Sequence, residues 1–251
     1  RQCYNASIVP SLWHLFVKNP YFRTRYINSG FNHPFALKPY IVLNFASSLD
    51  GKISGENGKQ FKFSNLEDME RVHRLRSESD IIVVGKNTVN MDDPKLTINP
   101  KYFQSENIPD VCILDSHLRV NTNARLFKYK RNVVIFCGSS ATLEDFRGTF
   151  ESNVILKKAP SQVPDARYVA DELGSMGYRT VMVEGGMSII TSFIKADVWD
   201  EIDIFYSPVL IGNAGVPMLD RVPSPISFEN IEVTKLGNGF LVKIKKGLRK
   251  H

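Results

Sequence analysis

The strongest constraint in the sequence is a series of short, uninterrupted apolar blocks separated by stretches of helical pattern. Ile81-Ile82-Val83-Val84-Gly85 and Val133-Val134-Ile135-Phe136 contain no polar residue. Val111-Cys112-Ile113-Leu114-Asp115 and Thr180-Val181-Met182-Val183-Glu184 carry polar residues only at their ends. A strand that is apolar at every position must be covered on both faces, which is the condition of a mainly parallel sheet with helices on either side. Residues 40–45 and 154–156 extend the set. Between the blocks, Ser64-Asn65-Leu66-Glu67 has the spacing of a capping box ahead of Met69, Val72, His73, Leu75 and Arg76. Residues 142–147 and 165–176 also read as helices, the second closing at Gly177. Residues 186–196 predict a helix that opens directly after a strand. Residues 201–206, 231–235 and 240–245 read as strands, the last two joined by a Gly237-Asn238-Gly239 turn with no room for a helix. The expected architecture is α/β, with a parallel core that finishes in a C-terminal antiparallel hairpin.

Residues 39–251 show no linker and are expected to form one domain, preceded by a basic extension over residues 1–38. A hydrophobic content of 43% supports a buried core, and no apolar run reaches the roughly 20 residues of a membrane span. Three scattered cysteines, Cys3, Cys112 and Cys137, argue against a disulfide framework or a paired-cysteine metal site and fit a cytoplasmic protein. The net charge of +6 suggests nucleic acid until it is mapped. Residues 1–38 carry five Lys/Arg and no acid, residues 235–251 carry six and no acid, and the body between them is net −5. The basicity belongs to the two ends rather than to a recognition element, so no nucleic-acid partner is expected. The first 38 residues, aromatic and acid-free, read as an extension packed on the body or on a partner subunit. Some organellar presequences share that composition.

Three segments can carry chemistry. Glu184-Gly185-Gly186-Met187-Ser188 closes a buried strand and opens a helix, so phosphate oxygens can approach the backbone and meet free N–H groups and the positive end of the helix dipole. The turn lacks the third glycine of the dinucleotide fingerprint, and a tight strand–helix connection explains the same residues. After the strand at 81–84, Thr88 and Asp92 stand four apart, facing one way on a helical turn and suited to ribose hydroxyls or a carboxamide. Asp92-Asp93-Pro94 also reads as an ordinary loop cap. Asn44-Phe45-Ala46-Ser47-Ser48-Leu49-Asp50-Gly51-Lys52 leaves the first strand through small residues, with Asp50 either a turn former or a substrate anchor and proton donor. Nucleophile-elbow, Walker and His-Glu-x-x-His patterns are missing, and the five histidines do not cluster. His73, beside Arg74, reads as a surface or partly packed residue. No metal site is expected.

Taken in order, Ser48-Leu49-Asp50-Gly51-Lys52, residues 71–76, Val84-Gly85 with Thr88, Asp92-Asp93-Pro94 and Leu96-Thr97, Leu114-Asp115-Ser116 with Leu118-Arg119, Glu184-Gly185-Gly186 and residues 206–212 resemble the riboflavin-pathway pyrimidine reductases. The likeness covers about Tyr40 to Lys246 and is greatest to the stand-alone archaeal and fungal form. It implies a dihydrofolate-reductase-like fold, NADPH as hydride donor, a homodimer, and reduction of a ribosylamino to a ribitylamino side chain on a phosphorylated pyrimidine. The zinc deaminase of the bifunctional relatives needs His-x-Glu and Pro-Cys-x-x-Cys, neither of which occurs in this sequence, so that activity is not expected.

By resemblance, Ala46, Thr88, Asp92, Gly185, Gly186, Met187 and Ser188 are cofactor contacts. Asn44, Asp50, Arg76, Leu96 and Glu184 are substrate contacts, and Asp50 and Glu184 are the candidates to donate or relay a proton. A basic position of the bacterial relatives is Asn99 here, which passes phosphate binding to Arg76 or Lys52. Lys157 and Lys158 are candidates for a 2′-phosphate, and Phe61 or Phe63 for an apolar wall. Another NADPH-dependent pyrimidine or pterin reductase of the same fold, or a non-catalytic nucleotide-binding or nucleic-acid-associated protein using its basic ends, are the competing readings.

Overall fold

The computed structural model describes residues 38–247 except 57, 143–145, 147, 149 and 223. The expected extension over residues 1–38, apart from Lys38, and most of the helix expected over 142–147 lie outside them.

The apolar blocks become strands close to their expected bounds. In chain order the elements are β1 (Tyr40–Ser48), β2 (Lys52–Glu56), α1 (Leu66–Ser77), β3 (Ile81–Gly85), α2 (Lys86–Asp92), β4 (Asp110–Leu114) and β5 (Asn132–Cys137). There follow β6 (Asn153–Lys158), α3 (Ala166–Ser175), β7 (Thr180–Val183), α4 (Met187–Lys195), β8 (Glu201–Ser207), β9 (Gly215–Pro217), β10 (Ile231–Leu236) and β11 (Gly239–Lys245). A nine-stranded sheet runs in the order β10-β11-β8-β1-β7-β3-β4-β5-β6. Neighbours from β8 to β6 pair in parallel, while β11 is antiparallel to both β8 and β10.

Strand alternation assigns each block to two cores. Ile81 and Val83 face α3 and α4, whose Val169, Leu173, Ile190 and Phe193 are fully buried. Ile82 and Val84 face α1 and α2 through Val72 and Val89. This is why blocks such as β3 tolerate no polar residue.

Two local expectations are corrected. The residue that caps α1 is Asn65, one later than the capping box placed it: its Oδ1 accepts from the Asp68 N–H at 2.9 Å. The Asn65 Nδ2 group is spent on the hairpin, donating to the Leu236 carbonyl and to Asn238 Oδ1. Gly237 turns that hairpin at φ 60°, where an added Cβ would sit 2.5 Å from the Asn65 amide. A small ribbon of β2 and β9 was also unexpected. It pairs the segments that follow β1 and β8, with Lys52 opposite Pro217.

The chain order explains where a cleft opens. From β3 the strands step outward to β6, then β7 returns to lie between β1 and β3, and β8 continues on the far side of β1. A parallel sheet whose connections diverge in this way leaves a crevice beyond the carboxyl ends of the strands at the switch.

Candidate active site

The carboxyl ends of β1, β7 and β3 bring the three segments together. Gly85 N-caps α2 and Gly186 N-caps α4, both in extended conformation and both without a side-chain cap. A Cβ on Gly85 would lie 3.0 Å from Ile189, one on Gly185 would lie 2.6 Å from the Ile189 Cβ, and one on Gly186 would lie 3.6 Å from Thr88 Oγ1. The glycines let α4 dock against the end of β3, so the Thr88 hydroxyl stands across the turn from the start of α4. Thr88 and Asp92 share one face of α2, and burial raises the Asp92 carboxyl above the usual range. Met187 and Ala46 are half-buried nearby and Ser188 is exposed. The uncapped first turn of α4, bare glycine backbone and a hydroxyl opposite are groups that suit the phosphates and ribose of a dinucleotide.

On the α1 side of the sheet the character changes. α1 lies across several strands and sends down charges rather than a plain apolar stripe. Arg76 grips Glu184 at the end of β7 in a fork, Nε to Oε1 at 2.7 Å and Nη2 to Oε2 at 2.6 Å, and donates through Nη1 to the Thr97 carbonyl at 3.1 Å. Burial works against the Arg76 charge, but Glu184 outweighs it and the guanidinium is held above its ordinary value. Arg71, one and a half turns earlier, donates to Asn44 Oδ1 at 2.7 Å, to Asp203 Oδ2 at 2.9 Å and to Asp68 Oδ1. Leu43 pairs with Val183, so Asn44 stands level with Glu184 on the next rung. Asp203 is 1% exposed, and burial pushes its carboxyl up to about 6 despite Arg71 and Lys243 beside it.

The wall of the cleft is the segment from Asp93 to Asn99. Asp93 and Leu96 both adopt positive φ, at 41° and 51°, a conformation that costs a residue with a Cβ and persists only where the surroundings impose it. The surroundings are cationic. Arg125 donates to Asp93, buried Arg131 donates to the Lys95 and Leu96 carbonyls at 2.6 and 2.7 Å, and Arg76 holds Thr97. His73, buried and stacked on Tyr102, closes the segment by accepting the Asn99 N–H at Nδ1, 3.0 Å. Burial and the Arg76 charge push His73 down to about 4, so the imidazole is neutral near pH 7. The surface reading of His73 is thereby corrected. The reason is tertiary: a loop some 26 residues away covers it.

The structure bears on three further expectations. Asp50 accepts from Ser48 Oγ at 2.6 Å and from the Ile211 and Gly212 N–H groups at 3.1 and 2.7 Å. The Ser48 and backbone hydrogen bonds hold its carboxyl down at about 2. Its geometry is that of an anchor tying the end of β1 to the loop after β8. Lys157 binds Glu172 of α3 at 3.1 Å, so its charge is already matched, while Lys158 is exposed. Between the two phenylalanines, Phe63 is the buried one and Phe61 is 40% exposed. Sequence reasoning missed Arg71, Asp203 and Arg131 as site residues, and no local pattern would have singled out the last two.

With that geometry in view, comparison with known proteins decides the family. The model of the RibD C-terminal domain matches residues 39–242. The chain belongs to the RibD C-terminal domain family. Among its relatives in this family is the 2,5-diamino-6-ribosylamino-4(3H)-pyrimidinone 5′-phosphate reductase of Archaeoglobus fulgidus, 34% identical over 214 residues, which span 82% of this chain and 97% of that one. The protein of the same name from Methanothermobacter thermautotrophicus is 32% identical over 82% of this chain and 98% of its own. Among solved structures, the bifunctional deaminase/reductase of Thermotoga maritima superposes with a TM-score of 0.70 at 25% identity, covering 83% of this chain and 56% of that one. This chain therefore spans little more than half of that bifunctional protein. The mainly parallel α/β fold is shared with the RibD reductases, and this chain is an oxidoreductase of riboflavin biosynthesis. Among the described residues no helix is long and apolar enough to cross a membrane.

Proposed function

We propose that residues 39–251 form a reductase domain that uses NADPH to convert the ribosylamino side chain of a phosphorylated diaminopyrimidine to the ribitylamino form. The observation that carries this reading is the juxtaposition of an uncapped glycine turn with a buried, charge-lined wall at one switch point. It is supported by the archaeal relatives, both named as 2,5-diamino-6-ribosylamino-4(3H)-pyrimidinone 5′-phosphate reductases. In this reading Gly185, Gly186, Met187 and Ser188 hold the dinucleotide phosphates, Thr88 and Asp92 its ribose or carboxamide, and Ala46 the room beside it. Bound NADPH supplies a hydride.

The chain's own residues must prepare the acceptor. A closed glycosylamine has no site for hydride. Ring opening removes the proton from the exocyclic nitrogen, places one on the ring oxygen and leaves C1′ doubly bonded to nitrogen. After hydride reaches C1′, the nitrogen takes up a proton. Glu184, fixed in place by Arg76, is the group we assign to relay these protons, directly or through water. Asp50 sets the loop that borders the reacting carbon. Leu96 and Asn44 contact the heterocycle. Three of the five N–H donors of Arg76 are spent on Glu184 and Thr97, so the 5′-phosphate is assigned to its two remaining donors or to Lys52. Holding the reactants in a dry cleft supplies much of the rate.

The enzyme is read as a cytoplasmic homodimer, and a sizing measurement checks the dimer. The deciding test of function is NADPH oxidation with the diamino ribosylamino phosphate and with its deaminated counterpart. Turnover of the first and not the second supports the reading. Turnover of neither sinks it.

A further inference from the structure

Asn44 lies at the floor of the cleft with 5% of its surface exposed, and its amide is turned one way. The Oδ1 atom accepts from the Arg71 guanidinium at 2.7 Å. A guanidinium can only donate, so the oxygen must face it, and Nδ2 must face away. Nδ2 has no hydrogen-bond partner among the described residues and is not fully buried, so its N–H donors are left free for a ligand. Arg71 is itself fixed from two further sides, by Asp203 on β8 and by Asp68 on its own helix. On β11, Lys243 binds Glu201 Oε1 and lies 3.4 Å from Asp203 Oδ1, and Tyr40 donates to Glu201 Oε2 at 3.0 Å. The row therefore runs from the sheet's antiparallel end to one amide nitrogen.

We propose that Arg71 and Asp203 are positioning residues that lock the Asn44 side chain with its N–H donors toward the pyrimidine, so that the site selects a hydrogen-bond acceptor atom of the heterocycle or its sugar at that point. The inference rests on the reading of Asn44 as a substrate contact. An unlocked amide spends part of its time with the oxygen forward, opposite the substrate's acceptor. A misdirected or missing hydrogen bond at such a point weakens binding without disturbing the nucleotide side of the cleft.

The test uses the full chain and reads the pyrimidine KM, kcat and the NADPH dissociation constant separately. Asn44→Ala should raise the pyrimidine KM about tenfold, the loss of one hydrogen bond from a buried amide, with NADPH binding unchanged. If that KM does not move, the underlying reading of Asn44 fails. Asp203→Asn and Arg71→Lys should each raise KM several-fold in the wild-type background and add less than about twofold in the Asn44→Ala background, because the lock then has nothing to hold. Asn44→Asp keeps the bond to Arg71 but presents an acceptor, so its KM should rise at least as far as that of Asn44→Ala. Independent, multiplying effects of Asp203→Asn and Asn44→Ala would overturn the lock while leaving Asn44 as a contact. So would NADPH affinity falling in parallel with KM. If Asp203→Asn does not fold, Arg71→Lys in the two backgrounds decides the question alone.

Discussion

The two walls of the cleft are built in opposite ways. The side proposed for the nucleotide is backbone: two glycine-capped helix starts, without a side-chain cap, kept close by the absence of Cβ atoms at Gly85 and Gly185. The side proposed for the pyrimidine is side chain: Arg71, Arg76, Arg125 and Arg131 converge on Asn44, Glu184 and the strained segment from Asp93 to Leu96. A dinucleotide presents phosphates that any helix N-terminus can greet. A substituted pyrimidine presents donors and acceptors at fixed angles, and recognising them requires side chains that cannot rotate. The difference teaches that rigidity here is concentrated on one side, and that it is achieved by charge, largely buried at Arg71, Arg76 and Arg131, rather than by apolar packing.

The largest effect should come from breaking the Arg76–Glu184 fork. Both side chains are only slightly exposed, 16% and 12%, so removing one leaves the other charged and unpaired. Arg76→Met should cost about 3–5 kcal/mol in urea unfolding, the usual range for a broken buried pair, and should abolish turnover. A loss below about 1 kcal/mol would mean that Glu184 readily finds water, and that the pyrimidine wall is softer than its geometry implies.

Next in size is an acid effect. His73 has a folded value of about 4 against an ordinary 6.5. The unfolded chain therefore takes the proton first as pH falls, so the stability this residue contributes is complete above about 6.5 and drains away toward 4. Its size is on the order of 3 kcal/mol. Asp203 has the reverse sign: raised from 3.8 to about 6, it favours the folded chain as pH falls across that window. His73→Gln should accordingly lose less stability than the wild type between pH 6.5 and 4.5, measured by urea midpoints at both. Parallel losses would show that the Asn99–His73 contact does not govern the wall.

The contrast between the walls also explains what the sequence could reveal. Backbone sites are written locally. Two glycines between a β-branched strand and a helix announce the turn at 184–188, and the blocks from β1 to β8 announce the parallel sheet, because covering both strand faces forbids polar residues there. Side-chain sites are written across the chain. Arg71 and Asp203 are 132 residues apart, Arg131 and Leu96 are 35 apart, and only the folded topology makes either pair neighbours. The same holds for His73, which reads from the sequence as a surface or partly packed residue and is buried by the loop carrying Tyr102. The β2–β9 ribbon escaped for a different reason: strands of five and three residues with Gly55 and Gly215 in them have no period to detect.

The glycine turn offers a finer separation. Gly185→Ala would place a Cβ 2.6 Å from that of Ile189, and such overpacking costs about 1–3 kcal/mol, shifting the start of α4. Gly186→Ala meets only the Thr88 hydroxyl at 3.6 Å, an ordinary contact at an ordinary φ of −67°. It should fold as well as the wild type and still bind NADPH several-fold more weakly, because the methyl group occupies the cradle. Equal binding by Gly186→Ala and wild type would move the phosphates away from this turn.

The smallest expected effect is at Lys157. Its bond to Glu172 is between side chains about one third exposed, and such pairs contribute roughly 0–1 kcal/mol. Lys157→Ala should leave the melting curve almost unmoved. It should also leave the preference for NADPH over NADH intact, since a lysine held by α3 has little left to offer a 2′-phosphate. The informative comparison is with Lys158→Ala, which removes an exposed neighbouring charge. If Lys157→Ala alone erases the preference, then the ion pair opens on binding, and the nucleotide side uses a charged side chain after all.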